Sequence, residues 1–187
     1  MNSRTEPWPF VTRPLTPKLG AAGIACLALC ASLSCRAEDF VLQVASPKFK
    51  VNIPGVPQMK MDVHPKHASQ PHLRYLGADG DVTVSVFTPA ASAGMTPLEC
   101  AAATLRTLVA RPGVPPAAEI YRARLNGTTF IAAYAARHGG TVQVHAHLLS
   151  AAGGTHCVEV HTTKTTLAEE EIPLWLNALQ KASIEPD

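Results

Sequence analysis

Apolar and polar residues alternate along most of the chain after Phe40, with the two-residue period of half-buried β-strands. Short clusters of Gly, Pro and Asn separate these segments and predict tight turns, of which Asn126-Gly127 is the strongest hairpin signal. The polar, proline-containing stretch 64–72 predicts a surface loop. The predicted strands are 49–53, 59–63, 73–76, 82–87, 119–125, 128–136, 141–149 and 155–162, with predicted turns at 54–57, 77–81, 138–140 and 151–154.

Two segments instead repeat their apolar residues every three to four positions, which is the spacing of an amphipathic helix. The first begins with Thr96-Pro97-Leu98-Glu99, where threonine can cap the helix, proline suits the first turn and glutamate can complete a capping box. We predict a helix from 97 to about 110. Its predicted buried stripe comprises Leu98, Ala101, Ala102, Leu105 and Leu108 or Val109.

The second helix is predicted at about 167–182, with Thr166 and Glu169 as its capping box. Pro173 lacks the N–H that a helix interior requires, so it predicts either a kink or a helix that begins there. The predicted inward stripe comprises Ile172, Trp175, Leu176 and Leu179.

This element order predicts an α+β fold, as a single domain with one curved antiparallel sheet of about six to seven strands and two main helices. The order, the Thr96-Pro97-Leu98-Glu99 helix start and the closing helix with Trp175 resemble the Mog1/PsbP-like family, over residues from about Phe49 to Ile184. The resemblance implies an antiparallel sheet packed between helices and an accessory or assembly role without catalysis. It carries over no binding residue by position.

The first 37 residues predict an export leader. Basic residues precede an apolar run at 19–33, whose 15 residues fall short of the roughly 20 that a membrane-spanning helix requires. The small residues Cys35 and Ala37 predict cleavage between Ala37 and Glu38, which would leave 38–187 as one periplasmic or secreted domain without a membrane span. Two alternatives stay open, namely lipid attachment at Cys35 and retention of the leader as an anchor.

The charge of the domain excludes one class of partner. The leader holds four of the 16 basic and one of the 14 acidic residues, which leaves 12 basic and 13 acidic residues in 38–187, a net charge of −1. A nucleic-acid-binding domain of this size would carry a basic excess clustered on one face. Lys and Arg are scattered singly here, so we expect no nucleic-acid partner.

Only Cys100 and Cys157 of the five cysteines follow the leader. In an oxidising compartment such a pair typically forms a structural disulfide, which here would join the first helix to the last predicted strand. Two buried free thiols are the alternative. Because 38–187 contains no Cys-x-x-Cys motif, we expect no thioredoxin-type redox role.

Histidines concentrate on two neighbouring predicted strands. Alternation places His145 and His147 on one face of the first strand, and Glu159 and His161 on one face of the next. If the apolar faces coincide, these four side chains share one side of the sheet, where they could bind zinc or copper or form an ordinary polar face. Cys157 shares that face, so a disulfide would bring the helix over part of it. A second cluster, in the predicted loop, has no metal-binding spacing and comprises His64, His67 and His72.

The sequence contains no Gly-x-Ser-x-Gly, His-Glu-x-x-His, phosphate-loop or dinucleotide motif. We therefore expect a non-catalytic accessory or binding protein of the cell envelope, with no catalytic residues, no cofactor, and an envelope protein or a small ligand as partner. Two alternatives stay open. One is an envelope metal-binding protein that uses the strand histidines, and the other is a hydrolase-type enzyme, which would need a pocket with a histidine bonded to both a carboxylate and a hydroxyl.

Overall fold

The computed structural model describes residues 39–64, 70–138, 141–165 and 171–186. The predicted cleavage site at Ala37 and Glu38, the loop residue His67 and the cap residues Thr166 and Glu169 lie outside these ranges. The described elements are, in chain order, β1 (Asp39–Ala45), β2 (Lys48–Pro57), β3 (Asp62–Val63), β4 (Leu73–Asp79), β5 (Val82–Phe87), α1 (Pro97–Val109), a short 3₁₀-helix (Ala117–Glu119), β6 (Tyr121–Arg124), β7 (Phe130–His138), β8 (Thr141–Ala152), β9 (His156–Thr165), α2 (Ile172–Leu179) and β10 (Ser183–Pro186).

Most of the alternating segments form a seven-stranded antiparallel sheet in the order β3-β4-β5-β9-β8-β7-β6. The strands β6 to β9 pair in chain order as the predicted meander, and β5 pairs with β9 to attach the first hairpin. Gly80, at φ +55°, allows a two-residue turn between β4 and β5, shorter than the predicted turn at 77–81. Together with the two helices, this sheet confirms the predicted single-domain α+β class.

A second, three-stranded antiparallel sheet forms in the order β1-β2-β10. The predicted turn at 54–57 is wrong, because β2 continues to Pro57, which pairs with Asp39 of β1. The pairing register shifts beside Asp39, and Gly55 adopts φ +74° in this bulge. A Cβ atom at Gly55 would lie 3.2 Å from that of Ala178 in α2, so both the backbone and the packing favour glycine there.

The strand β10 was not predicted, since no element was expected after the helix that was to end at about 182. Ile184 is fully buried and pairs with Val51 of β2. The Ile184 N–H donates to Thr129 Oγ1 at 2.9 Å, and the hydroxyls of Thr128 and Thr129 donate to the Ile184 carbonyl at 3.1 and 3.3 Å. These bonds attach β10 to the loop before β7 and so connect the two sheets.

One apolar core fills the space between the two sheets and α2. Alternation directs every second residue of β5, β8 and β9 into it, as the period of the sequence predicts. The opposite face of the seven-stranded sheet is left for α1 and for polar side chains. Buried residues of this core include Phe40, Ile53, Val84, Val86, Val144, Leu148, Val160, Trp175, Leu179 and Ile184.

The helix α1 packs on that opposite face, against β7, β8 and β9. Its predicted capping box is confirmed, because the Glu99 N–H donates to Thr96 Oγ1 at 3.3 Å and the Thr96 N–H donates to Glu99 Oε2 at 2.8 Å. A disulfide joins Cys100 of α1 to Cys157 of β9, whose Cα atoms lie 5.3 Å apart. The bond fastens the first turn of the helix to the sheet.

The buried stripe of α1 differs from the prediction. Cys100, Ala101 and Leu108 are buried against the sheet. Leu98 is 61% exposed and Ala102 is also exposed, so the prediction is wrong at these two positions. The reason is the rotation of the helix, which turns Cys100 rather than Leu98 towards the sheet.

The helix α2 is shorter than the predicted 167–182 and has Pro173 in its first turn, in agreement with a helix that begins near this proline. Its inward stripe is confirmed, since Trp175 and Leu179 are buried and the other two predicted residues pack partly against the core. Leu174 is 72% exposed on the outer side of the helix.

Two further predicted strands are shorter in the structure. The segment 59–63 contributes only β3, and 119–125 only β6, which the 3₁₀-helix precedes. Between β6 and β7 the side-chain oxygen of Asn126 accepts the backbone N–H groups of Thr128 and Thr129 at 2.9 and 2.8 Å. The connection is therefore a wider loop, stabilised by this asparagine, and not the tight hairpin turn that Asn126-Gly127 predicts.

Candidate functional site

The four side chains of the predicted histidine and glutamate site lie together on the sheet face against which α1 packs. The ladder between β8 and β9 pairs His147 with His161 and Leu149 with Glu159. His145 precedes His147 by two residues and so lies on the same face. Cys157 and Glu159 lie two residues apart in β9 and so project from the same face. The disulfide at Cys157 therefore holds α1 over the neighbouring part of this face.

Three histidine rings and one tyrosine ring lie parallel on this face, and we call Tyr134, His145, His147 and His161 the ring stack. The ring centres of His147 and His161 are 4.2 Å apart with planes within 3°, and those of Tyr134 and His145 are 4.8 Å apart with planes within 10°. The diagonal pair His145 and His161 is separated by 5.3 Å. Tyr134, which the sequence analysis missed, lies opposite His145 in the β7–β8 ladder, and only this register could have identified it.

One hydrogen bond joins two rings of the stack, and a second joins the stack to Glu159. His145 Nδ1 and His161 Nε2 lie 3.1 Å apart, so one ring donates and the other accepts. His147 Nδ1 lies 2.8 Å from Glu159 Oε1, and because a carboxylate oxygen accepts, Nδ1 carries the proton. His147 is 1% and Glu159 5% exposed. The result is a buried carboxylate–imidazole pair beneath the ring stack.

The surroundings of His161 and Tyr134 keep both rings uncharged at neutral pH. Burial, followed by the proximity of His147, His145 and Arg111, lowers the pKa of His161 to about 2. Burial is also the main cause of the raised pKa of Tyr134. His161 therefore takes part in its hydrogen bond with His145 as a neutral imidazole.

The ring stack does not have the arrangement of a metal centre. Imidazole lone pairs lie in the plane of the ring, so the ligands of one ion must turn their ring edges towards a common point. Here the rings are parallel, and nitrogen atoms of all three histidines take part in the two hydrogen bonds. Within the described ranges, no group of three or more His, Cys, Asp or Glu side chains is placed to hold a metal ion.

The Glu159–His147 pair corresponds to two members of a hydrolase-type triad. A carboxylate on Nδ1 would leave Nε2 to act as a base towards a hydroxyl. His147 Nε2 is buried and has no hydrogen-bond partner among the residues that the structure describes. Within the described part of the chain, the arrangement thus supplies the carboxylate and the histidine but no hydroxyl on Nε2, and both side chains are almost completely buried.

Of the loop histidines, His64 and His72 lie away from this site. The backbone N–H of His64 donates to the carbonyl of Arg74 in β4 at 2.8 Å, and β5 and β9 separate β4 from β8. His72 is exposed, and His67 lies outside the described residues.

A groove of about 300 Å³ lies between α1 and the β6 end of the same sheet face, and we call it the α1–β6 groove. It adjoins the ring stack through Ala132, which pairs with His147 across the β7–β8 ladder. Its lining is apolar except for two arginines of β6. Leu98, Ala101, Ala102 and Leu105 form the helix wall, and Phe130, Ala132 and Leu149 form the sheet floor.

Arg122 and Arg124 line the outer edge of the groove. They lie two residues apart on β6, which is an edge strand, and pair with Ala132 and Phe130 of the floor. Both therefore project from the face on which α1 packs. A second cavity of about 400 Å³ shares Leu98, Arg124 and Phe130 with the groove.

Comparison with known proteins shows a weak likeness of fold. LpqN, "involved in cell envelope biogenesis" of Mycobacterium tuberculosis, is 12% identical with a TM-score of 0.46, over 80% of this chain and 91% of LpqN. PsbP (CyanoP) from Synechocystis sp. PCC 6803 is 12% identical with a TM-score of 0.41, over 84% of this chain and 98% of CyanoP. No family model matches the sequence, and neither does any curated protein.

Within 39–64, 70–138, 141–165 and 171–186, no helix combines the length and the apolar character needed to cross a membrane.

Proposed function

We propose that the protein is an exported, non-catalytic accessory protein of the cell envelope that binds a small, largely apolar ligand in the α1–β6 groove. Removal of residues 1–37 would release 38–187 into the periplasm or the medium. The groove is the observation that carries this proposal. Its volume of about 300 Å³ lies at the lower end of the range of roughly 300–1,000 Å³ that is typical of small-molecule sites, and apolar side chains dominate its lining.

Leu98 provides the clearest reason for binding an apolar molecule. It forms part of the groove wall, and 61% of its surface is exposed. Full burial of a leucine side chain contributes about 1.5–3 kcal/mol, so covering the exposed part of Leu98 would contribute about 1 kcal/mol. Leu105 and Phe130 are only partly buried in the same groove and would add to this gain.

The position of the Glu159–His147 pair supports binding over hydrolysis. Both side chains are almost completely buried, and neither lines the groove or the cavity next to it. A general base must come within hydrogen-bond reach of the proton that it abstracts. Because His147 does not line the groove, a substrate bound there would not contact its Nε2. The pair is therefore better suited to holding β8 and β9 together than to catalysis.

Binding of a neutral apolar dye, N-phenyl-1-naphthylamine, followed by its fluorescence, tests the proposed function. We expect saturable binding to the exported protein. Ala102→Trp should weaken this binding by roughly tenfold or more, equivalent to about 1.4 kcal/mol, because the indole would fill the groove from an exposed position on its wall.

The matched control is Thr107→Trp, which places the same side chain at an exposed position of α1 that does not line the groove. This variant should bind the dye like the wild type. Lack of saturable binding to the wild type, or equal weakening by both substitutions, would contradict the proposal.

A further inference from the structure

The charge of the α1–β6 groove is concentrated on one side. Arg122 and Arg124 supply it, and no carboxylate side chain is among the described residues that line the groove or the adjoining cavity. The acidic residue on the helix side, Glu99, has its carboxylate engaged in the capping box with Thr96. The edge formed by β6 is therefore complementary to an anionic group.

The guanidinium group of Arg124 is held in place before any ligand arrives. Its Nε donates to the carbonyl of Asn126 at 2.9 Å, and its Nη2 donates to the carbonyl of Gly127 at 2.8 Å. Its Cζ lies 5.6 Å from the ring centre of Phe130 on the groove floor. A guanidinium has five N–H donors, so further donors remain for an anion, and the fixed side chain would lose little entropy on binding it.

Arg122 is exposed on the same edge, and within the described part of the chain its side chain forms no ion pair. It pairs through its backbone with Ala132, which belongs to the apolar floor. An anion at Arg122 would thus lie at the rim of the groove while an attached apolar group lies along the floor. Polar recognition at one end of an apolar site is the usual arrangement for a small amphipathic ligand.

We propose that the ligand of the α1–β6 groove is an amphipathic carboxylate with a single short aliphatic tail. The carboxylate is bound by Arg122 and Arg124, and the tail lies between Leu98 and Leu105 of α1 and the Phe130 side of the floor. The groove of about 300 Å³ has room for one short tail. This inference rests on the proposed function, and it specifies the chemistry of the ligand at that site.

Calorimetric titration of the exported protein with octanoate, 1-octanol and octylammonium tests this inference, because the three probes share a tail and differ in the head group. We expect octanoate to bind roughly tenfold more tightly than 1-octanol, and octylammonium to bind most weakly. Arg122→Gln should reduce octanoate affinity to within about threefold of that of 1-octanol, and Arg122→Lys should keep most of the preference because it keeps the charge. Lys50→Gln, an exposed cation of β2 on the other sheet, is the matched control and should change nothing.

Equal affinity for octanoate and 1-octanol in the wild type would overturn the inference, as would an octanoate preference that survives Arg122→Gln. Binding to anionic phospholipid vesicles without binding of octanoate would also overturn it, since it would indicate a membrane surface as the partner. Saturable dye binding alongside any of these results would leave the proposed function standing. A lack of saturable dye binding would contradict both the proposed function and this inference.

Discussion

Acidification should destabilise the protein through His161. In the folded protein the pKa of this ring is lowered to about 2, by burial and by the nearby His147, His145 and Arg111, whereas a histidine in an unfolded chain titrates near 6.5. Below pH 6.5 the unfolded chain therefore binds a proton that the folded protein does not. The free energy of unfolding must fall as the pH falls through this window, down to the folded pKa.

The size of the effect follows from the two pKa values. For an unfolded pKa near 6.5, the contribution of His161 to the loss of stability is about 1.4 kcal/mol at pH 5.5 and about 2.7 kcal/mol at pH 4.5. Both values depend only on the unfolded pKa, because both pH values lie far above the folded one. In a domain of about 150 residues, 1.4 kcal/mol corresponds to a decrease in Tm of about 3–6 °C.

Urea unfolding at pH 7.5 and pH 5.5 measures this contribution. The wild type is to be compared with His161→Gln, because a glutamine amide can form the hydrogen bond to His145 but does not titrate. His72→Gln, at an exposed position, serves as the control. The difference in unfolding free energy between the two pH values should be about 1.4 kcal/mol smaller in His161→Gln than in the other two proteins. Equal pH dependence of all three would refute the assignment of His161 as a buried neutral ring.

Three further predictions concern the leader, the disulfide and the metal hypothesis. The intact mass of envelope-purified protein should match a chain that begins at Glu38, and a mass that includes the leader or a lipid would contradict this. The Cys100→Ala, Cys157→Ala double variant should be less stable than the wild type by about 4 kcal/mol under oxidising conditions, because the disulfide closes a loop with a sequence separation of 57. An unchanged Tm, or two alkylatable thiols in the native protein, would contradict this prediction. Zinc or copper should leave the Tm unchanged, and a rise that the His145→Ala, His147→Ala variant abolishes would restore the metal hypothesis.

Local signals account for the parts of the fold that the sequence predicted. The capping box at Thr96 and Glu99 involves residues three positions apart, so the pattern alone located the start of α1. Alternation likewise brought His145, His147 and the two β9 residues to one face. Side chains alternate within each strand, and the apolar residues of each strand mark the face that is buried. The chain alone therefore indicates which residues of β8 and β9 share the opposite face.

Features that depend on tertiary contacts were not predictable in the same way. The helical spacing of α1 is compatible with several rotations, and the sheet contact at Cys100 selects the one that exposes Leu98 and so forms the groove wall. Tyr134 joins the ring stack through the register of the β7–β8 ladder. The sequence at Gly55 predicts a turn, because glycine and proline are common both in turns and in bulges. Only the pairing of Pro57 with β1 shows that this segment is a bulge within a strand.

The position of β2 between β1 and β10 has a consequence for the order in which the protein can fold. β2 and β10 pair across more than 120 residues of intervening chain, and Thr129, in the loop before β7, hydrogen-bonds to β10. During synthesis, the three-stranded sheet cannot close until Ser183–Pro186 have emerged, and until then one side of the core stays exposed. We therefore expect the growing chain to remain loosely structured until this last strand has been synthesised.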